Sequence, residues 1–379
     1  MREYLLVMVV AAAITFLTTP LARWLAVRAG AVTAVRDRDV HVVPIPRMGG
    51  VAILLGFLGA VLVAWRLPFL GGYVEGQPPT DSVFTDGRLT GVVVGAVLVC
   101  LVGAVDDVRE LDWLTKLAGQ ILAAGIMAYQ GMQLQSFPFL GGQTVFPIAV
   151  MFAITIGIVV VTTNAVNFVD GLDGLAAGIV GIAAFTFFAY SYVVSMSYNP
   201  PNAFSSATLI SAALAGCCAG FLPHNFHPAR LFMGDSGALL LGLLLSAATI
   251  SLTSLDPTQV SVGPGRGNQV MGWMPLVLPL AILSLPLLDM VLAVVRRTRA
   301  GVQPWRPDAH HLHHRMLRAG HTHPRAVLLL YLWAAIVSVG MLAVAMLDGW
   351  APLVGVVGAL LIASRLTFRK AGSPRRKTL

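Results

Sequence analysis

Acidic and amide side chains recur every third residue in the stretch Asn164–Gly174, which reads Asn-Ala-Val-Asn-Phe-Val-Asp-Gly-Leu-Asp-Gly. If this stretch is helical, Asn167, Asp170 and Asp173 share one side of the helix. Oxygen ligands of this kind suit Mg²⁺, which commonly joins a few carboxylates to the phosphates of a substrate. The alternative is a polar turn between two helices, with an Asp that caps one of them.

Two adjacent carboxylates, Asp106 and Asp107, close an apolar run. Neighbouring carboxylates at the edge of a bilayer repel each other, and a nearby cation offsets that cost. We therefore expect a divalent metal or a basic partner beside them. Lys116, which begins the next apolar run, is the candidate partner. The alternative is a pair of solvated loop acids beside Arg109.

Two further stretches carry groups that suit phosphate. Asp235 stands where another apolar run begins, and a helix N-terminus attracts phosphate through its free N–H groups and its dipole. An acid at that position can instead hold a metal that bridges to phosphate, or it can simply cap the helix. The second stretch is a basic loop with a histidine cluster formed by His310, His311, His313 and His314. This cluster predicts either a cationic phosphate-binding surface or a solvated loop.

The elements that must position these residues are apolar. The chain is 57% hydrophobic and 11% charged, whereas soluble domains carry about 25% charged residues. Its apolar runs are long enough to cross a bilayer as helices, and they do not alternate as barrel strands do. The candidate spans are Tyr4–Ala26, Met48–Leu67, Gly91–Val105, Leu114–Ala128, Val145–Val161, Leu175–Val194, Ser206–Leu222, Ala238–Ser254, Met274–Val295, Ala326–Met346 and Ala351–Ala363.

The predicted fold is therefore an all-α, polytopic transmembrane helical bundle. It has about eleven helices, or ten if one of the short spans does not cross the membrane. Residues 1–366 form the membrane domain, and residues 367–379 form a basic cytoplasmic tail. Asp289 lies inside the ninth span, where an acid is costly and indicates a functional site.

Charge sets the orientation of these spans. With the N-terminus outside, all but four of the 25 Lys and Arg residues face the cytoplasm, the exceptions being Arg2, Arg66, Arg88 and Arg266. This distribution follows the positive-inside rule, so the net charge of +8 indicates membrane topology and no nucleic-acid partner. The acids, amides and histidines described above then gather at the cytoplasmic face of the inner (plasma) membrane.

In this order along the chain, the motifs resemble those of the polyprenyl-phosphate N-acetylhexosamine-1-phosphate transferases. The matching pieces are Pro44–Gly50, Asp106-Asp107, Asn164–Gly174, Asn225 with Phe232–Gly237, and His311-Leu312-His313-His314. The last of these is similar to the branch that transfers N-acetylglucosamine-1-phosphate. The peptidoglycan branch typically has three consecutive histidines, and here a Leu interrupts the run.

The resemblance implies that a polyprenyl phosphate attacks a UDP-N-acetylhexosamine and releases UMP. It implies Mg²⁺, or Mn²⁺ as an alternative ion, at Asp235 and Asn167. It implies a catalytic group made of Asp106, Asp107, Asp170 and Lys116. Substrate-binding residues are expected to be Arg47, Asp173, Asn225, Phe232, His311, His313 and His314. Among these, Asp173, Asn225 and Phe232 would contact the uridine, and the histidines would hold phosphate oxygens.

Several alternatives stay open at this point. A covalent aspartyl intermediate is one route, although a phosphate monoester is largely a dianion at neutral pH and needs no strong base. A phospho-N-acetylmuramoyl-pentapeptide transferase would use the same fold. A secondary transporter would use acids as coupling sites, but such sites lie near the bilayer midplane, whereas most acids here lie at span ends. Members of the resembled family dimerise, although no residue pattern here indicates a dimer.

Overall fold

A computed structural model describes residues 1–32, 44–68, 70, 87–139, 142–144, 146–197, 205–253, 320–347 and 349–368, together with isolated positions between 291 and 316. Its helices are α1 Arg2–Ala29, α2 Gly49–Arg66, α3 Arg88–Arg109, α4 Trp113–Tyr129, α5 Ile148–Val169, α6 Leu175–Met196, α7 Ser206–Asn225, α8 Gly234–Leu252, α9 His323–Met346 and α10 Ala351–Phe368. A short antiparallel hairpin, β1 Phe137–Phe139 with β2 Gly142–Thr144, joins α4 to α5.

The described helices coincide with ten of the predicted spans, so the all-α polytopic architecture is confirmed. Eight of these helices are long and apolar enough to cross a membrane. The ninth predicted span, which contains Asp289, lies outside the described residues, and the total of eleven therefore stays a prediction. α10 ends at Phe368, and the predicted basic tail beyond it also lies outside the described part of the chain.

Helix α8 lies at the centre of the bundle and packs against α2, α3, α5 and α7. Nearly every residue of α8 is buried, from Ser236 to Leu252, because it contacts protein on all sides. Helix α1 packs against α2 and α7, and α9 packs against α6 and α10. Many large apolar side chains of α1 and α10 are exposed, as expected for helices that face lipid.

One end of the bundle collects the polar motifs. The helices α3, α5 and α7 end at the side of the bundle where α4, α6 and α8 begin. The start of α9 reaches the same end, because the Nε2 atom of His323 lies 3.1 Å from the backbone nitrogen of Asp173, just before α6. The predicted gathering of polar residues on one side is therefore confirmed for those that the structure describes.

Candidate functional site

Lys116 joins two of the predicted acids. Its Nζ atom lies 2.6 Å from Oδ2 of Asp106 and 2.6 Å from Oδ2 of Asp235. Asp106 is in the last turn of α3 and Asp235 is the second residue of α8, so one ammonium group ties the ends of two helices together. The prediction that Lys116 partners the acid pair is confirmed for Asp106.

The start of α4 holds Lys116 in place. Asp112 is the N-cap of α4, and its carboxylate accepts the backbone N–H groups of Leu114 and Thr115. Such a cap is typically worth about 1 kcal/mol. Lys116 therefore projects from a fixed first turn, and the side chain keeps 28% exposure.

Asp107 caps helix α8 from a different helix. Its carboxylate accepts the backbone N–H of Asp235 at 2.9 Å and that of Ser236 at 3.2 Å. The alternative interpretation of Asp235 as a simple N-cap is therefore wrong: Met233 occupies the N-cap position, and Asp107 supplies the capping oxygens. As a result the Asp235 carboxylate is available to Lys116 and to a ligand.

Two glycines permit this close approach of α3 to α8. A Cβ atom on Gly103 would collide with the backbone of Asp235 and Ser236, and one on Gly234 would collide with the Asp107 carboxylate. Gly234 also has φ +69°, a conformation that side-chain-bearing residues rarely adopt. Only glycine at these two positions lets the carboxylate reach the first turn of α8.

Asp170 marks a correction to the helical interpretation of Asn164–Gly174. Helix α5 ends at Val169 with Asp170 as its C-cap, and α6 begins at Leu175 after Gly174 at φ +79°. Asp170 and Asp173 therefore lie on a turn and not along one face of a helix. Asn167 stays in the last turn of α5, and its role as a metal ligand stays a prediction.

The electrostatic surroundings of Asp170 are strongly negative. Burial first, and then the negative charges of Asp235, Asp107 and Asp173, raise its pKa to about 7, while Arg47 opposes them. These influences place the Asp170 carboxyl close to the other acids. Four carboxylates, those of Asp106, Asp107, Asp170 and Asp235, therefore gather at this end of the bundle, and two of them, Asp106 and Asp235, contact the ammonium of Lys116.

The turn between α5 and α6 is bound to the segment that precedes α8. The Asn225 side-chain oxygen accepts the N–H of Gly174 at 3.1 Å, and its amide nitrogen donates to the carbonyl of Leu231 at 3.0 Å. Asn225 is 2% exposed. Its side chain therefore braces two loops, and a direct contact with substrate stays a prediction.

The Pro44–Gly50 motif runs beside Phe232. The N–H of Phe232 donates to the carbonyl of Pro46, and the carbonyl of Phe232 accepts the N–H of Gly49. These backbone bonds set the start of α2 against the start of α8. Arg47, between them in sequence, is close enough for its charge to act on Asp170.

The predicted histidine cluster lies outside the described residues, so the placement of His311, His313 and His314 stays a prediction. The structure instead places two histidines at the site that were not predicted as site residues from the sequence. His227 and His323 contact Asp173. His227 lies between the matched pieces Asn225 and Phe232–Gly237, which was a usable signal, whereas nothing in the sequence links His323 to Asp173.

A polytopic helical bundle with a carboxylate–lysine cluster at one end defines a helical membrane protein with a charged site at one end of the bundle. The comparisons with known proteins specify this class. The sequence model of glycosyl transferase family 4 matches residues 89–253, which include α3 to α8 and every described acid of the cluster.

Related proteins match nearly the whole chain. A decaprenyl-phosphate N-acetylglucosaminephosphotransferase of Mycobacterium tuberculosis is 42% identical over 97% of this chain and 89% of its own length. A probable undecaprenyl-phosphate N-acetylglucosaminyl 1-phosphate transferase of Bacillus subtilis is 30% identical over 99% of this chain and 95% of its own. A phospho-N-acetylmuramoyl-pentapeptide-transferase of Desulforudis audaxviator is 34% identical over 54% of this chain and 62% of its own. The chain belongs to glycosyl transferase family 4, and it is a multi-pass membrane protein.

Proposed function

We propose that this protein transfers N-acetylglucosamine-1-phosphate from UDP-N-acetylglucosamine to a polyprenyl phosphate, decaprenyl or undecaprenyl, and releases UMP. The relatives that match nearly the whole chain are named for N-acetylglucosamine-1-phosphate transfer. The pentapeptide transferase matches about half of it, so N-acetylglucosamine is favoured over the peptidoglycan precursor. The product would begin a lipid-linked envelope polysaccharide.

The observation that carries the proposal is the cluster of four carboxylates at one end of the bundle, of which Asp106 and Asp235 share the ammonium of Lys116. Phosphoryl transfer requires positioning and charge neutralisation more than covalent chemistry. The cluster carries more negative than positive charge, so it favours a further cation. Its donors are carboxylate oxygens, which suit Mg²⁺ and also Mn²⁺, and they fit a divalent ion at Asp235, for which Asn167 in the last turn of α5 is the proposed second ligand. A bound ion would supply neutralisation of the substrate diphosphate.

The chain's own residues would do the rest. Lys116 would hold a phosphate oxygen of the substrate with one N–H of its ammonium, while the other two contact Asp106 and Asp235. Asp106 would orient the lipid phosphate, and Asp107 would keep the first turn of α8 in place. The turn that ends at Asp173 would receive the uridine.

The proposed setting is the plasma membrane, with this end of the bundle in the cytoplasm and the N-terminus outside. The basic residues favour that orientation by the positive-inside rule. In this arrangement a soluble nucleotide sugar meets a lipid phosphate anchored in the same membrane. A homodimer is part of the proposal because members of the resembled family dimerise.

The test is UMP release from UDP-N-acetylglucosamine in membranes that contain the protein and polyprenyl phosphate. We expect divalent-cation-dependent release by the wild type, and loss of at least a hundredfold in Asp235→Asn. UDP-N-acetylmuramoyl-pentapeptide should not replace the donor. Release by Asp235→Asn at the wild-type rate would refute the metal role, and solute uptake into proteoliposomes without UMP formation would favour a transporter instead.

A further inference from the structure

Two histidines from distant parts of the chain converge on Asp173. The Nδ1 atom of His227 lies 2.8 Å from Oδ2 of Asp173, and the backbone N–H of Ala229 also donates to that oxygen at 3.1 Å. The Nε2 atom of His323 lies 3.1 Å from the backbone nitrogen of Asp173. The two imidazole rings stack with centroids 4.4 Å apart and planes 17° apart.

These contacts fix the proton on each ring. A backbone N–H can only donate, so the Nε2 atom of His323 accepts and carries no proton. The neutral ring of His323 is therefore protonated at Nδ1. His227 faces a carboxylate oxygen through Nδ1, so its Nδ1 donates. Stacking disfavours two cationic rings, which keeps the His323 ring neutral.

The position of the His323 ring lowers the stability of the fold. His323 is 9% exposed, and its Nδ1 atom is buried with no partner among the described residues. An unsatisfied buried donor is destabilising. A side chain kept only for packing would not need that donor. Asp173, His227 and His323 are residue types that bind metals. However, Oδ2 of Asp173, Nδ1 of His227 and Nε2 of His323 already take part in the hydrogen bonds described above.

The turn held in this way links the two halves of the site. Its first residue, Asp170, is close enough to Asp235 and Asp107 for their charges to raise its pKa, and Asp173 acts on it too. Its last residues are anchored by Asn225, and by Tyr331, whose hydroxyl donates to the carbonyl of Gly174. A ligand with its diphosphate at the carboxylate cluster would therefore extend along this turn toward Asp173.

We propose that His227 and His323 are positioning residues that hold the carboxylate and backbone of Asp173 for binding the nucleotide of the sugar donor. This inference rests on the proposed function, which supplies the nucleotide. His227 fixes the carboxylate through Nδ1, and His323 fixes the backbone through Nε2. Neither histidine is required to touch the reacting phosphorus.

The test uses paired amide variants, because Asn places its amide group near the Nδ1 position of histidine and Gln places it near Nε2. His227→Asn and His323→Gln preserve the contact with Asp173, whereas His227→Gln and His323→Asn misplace it. Members of a pair have the same functional group. Each variant's melting temperature in detergent is measured, so that only folded variants enter the comparison.

We expect the KM for UDP-N-acetylglucosamine and the Kd for UMP, measured by calorimetry, to rise about tenfold in the misplaced variants, which is the effect of one lost hydrogen bond. The matched variants should stay within about threefold of the wild type, on the same scale. The KM for polyprenyl phosphate and the cation dependence should not change.

Two results separate this inference from the function beneath it. Wild-type turnover with equal nucleotide affinity in both members of each pair would overturn the positioning role alone. A wild-type protein that binds no UMP and releases none would overturn the proposed function, and this inference with it.

Discussion

Replacing Lys116 with Met should tighten divalent-cation binding while it weakens catalysis. The Lys116 ammonium lies 2.6 Å from the carboxylates of both Asp106 and Asp235. A cation that binds the Asp235 carboxylate therefore either competes with Lys116 for Oδ2 or, on Oδ1, is repelled by the positive charge of the ammonium. Met has similar length and no charge, so the variant removes the competitor and leaves the carboxylates.

The expected change in cation affinity follows from the loss of the contact between Lys116 and Asp235. A hydrogen bond between charged groups is worth about 1.5–3 kcal/mol, which corresponds to a change of about 10- to 100-fold in affinity. Without a divalent cation, the variant should also lose stability, since Asp106 and Asp235 are left unpaired. Breaking a buried pair costs about 3–5 kcal/mol, and we expect about the lower value here, because Lys116 is 28% exposed.

The assay is Mn²⁺ binding to purified protein in detergent, followed by electron paramagnetic resonance, with melting temperatures in EDTA and in saturating Mg²⁺. Lys377→Met is a matched control, since it removes the same charge from the tail, and it should change neither quantity. Lys116→Arg retains the charge and should not tighten binding. Equal or weaker Mn²⁺ affinity in Lys116→Met would refute the competition between Lys116 and the cation.

Two more outcomes are expected from the same cluster. Asp107→Asn keeps one of the two oxygens that accept the N–H groups of Asp235 and Ser236, so it should retain more UMP release than Asp107→Ala. Equal loss in both would indicate that the charge is needed, as a catalytic role requires. Because the pKa of Asp170 is raised to about 7, the folded protein without divalent cations keeps a proton there that the unfolded chain has lost. Stability should therefore fall from about pH 5 to pH 7, and Asp170→Asn should flatten that fall in melting temperature; an unchanged slope would contradict the assignment.

The helices were predictable from the sequence because lipid imposes a simple requirement. A segment that crosses the bilayer must be apolar over its length, so even the short predicted spans, such as Leu114–Ala128, correspond to helices. The error at Asp170 came from extending helical periodicity beyond Val169. Helix α5 ends there with Asp170 as its C-cap, so the chain turns before the last two acids.

Contacts between distant segments could not be predicted in this way. Asp107 and Asp235 are 128 residues apart, and Asp173 and His323 are 150 residues apart. Neither pair leaves a local pattern, because the partner group is a backbone N–H, which every residue except proline carries. The side-chain types at these positions indicated polar chemistry, and only the packing of the helices shows which group each one meets.

The capping of α8 bears on a choice that the sequence left open, between phosphate at the helix N-terminus and a metal held by Asp235. The first N–H groups of α8 and the positive end of its dipole attract an anion. The Asp107 carboxylate already fills that position with two hydrogen bonds, and a second anion there would meet its negative charge. Phosphate is therefore favoured where a cation can stand between it and the carboxylates, beside Asp235 and Lys116. Capping by Asp107 thus favours the metal-bridged arrangement over direct binding of phosphate to the helix.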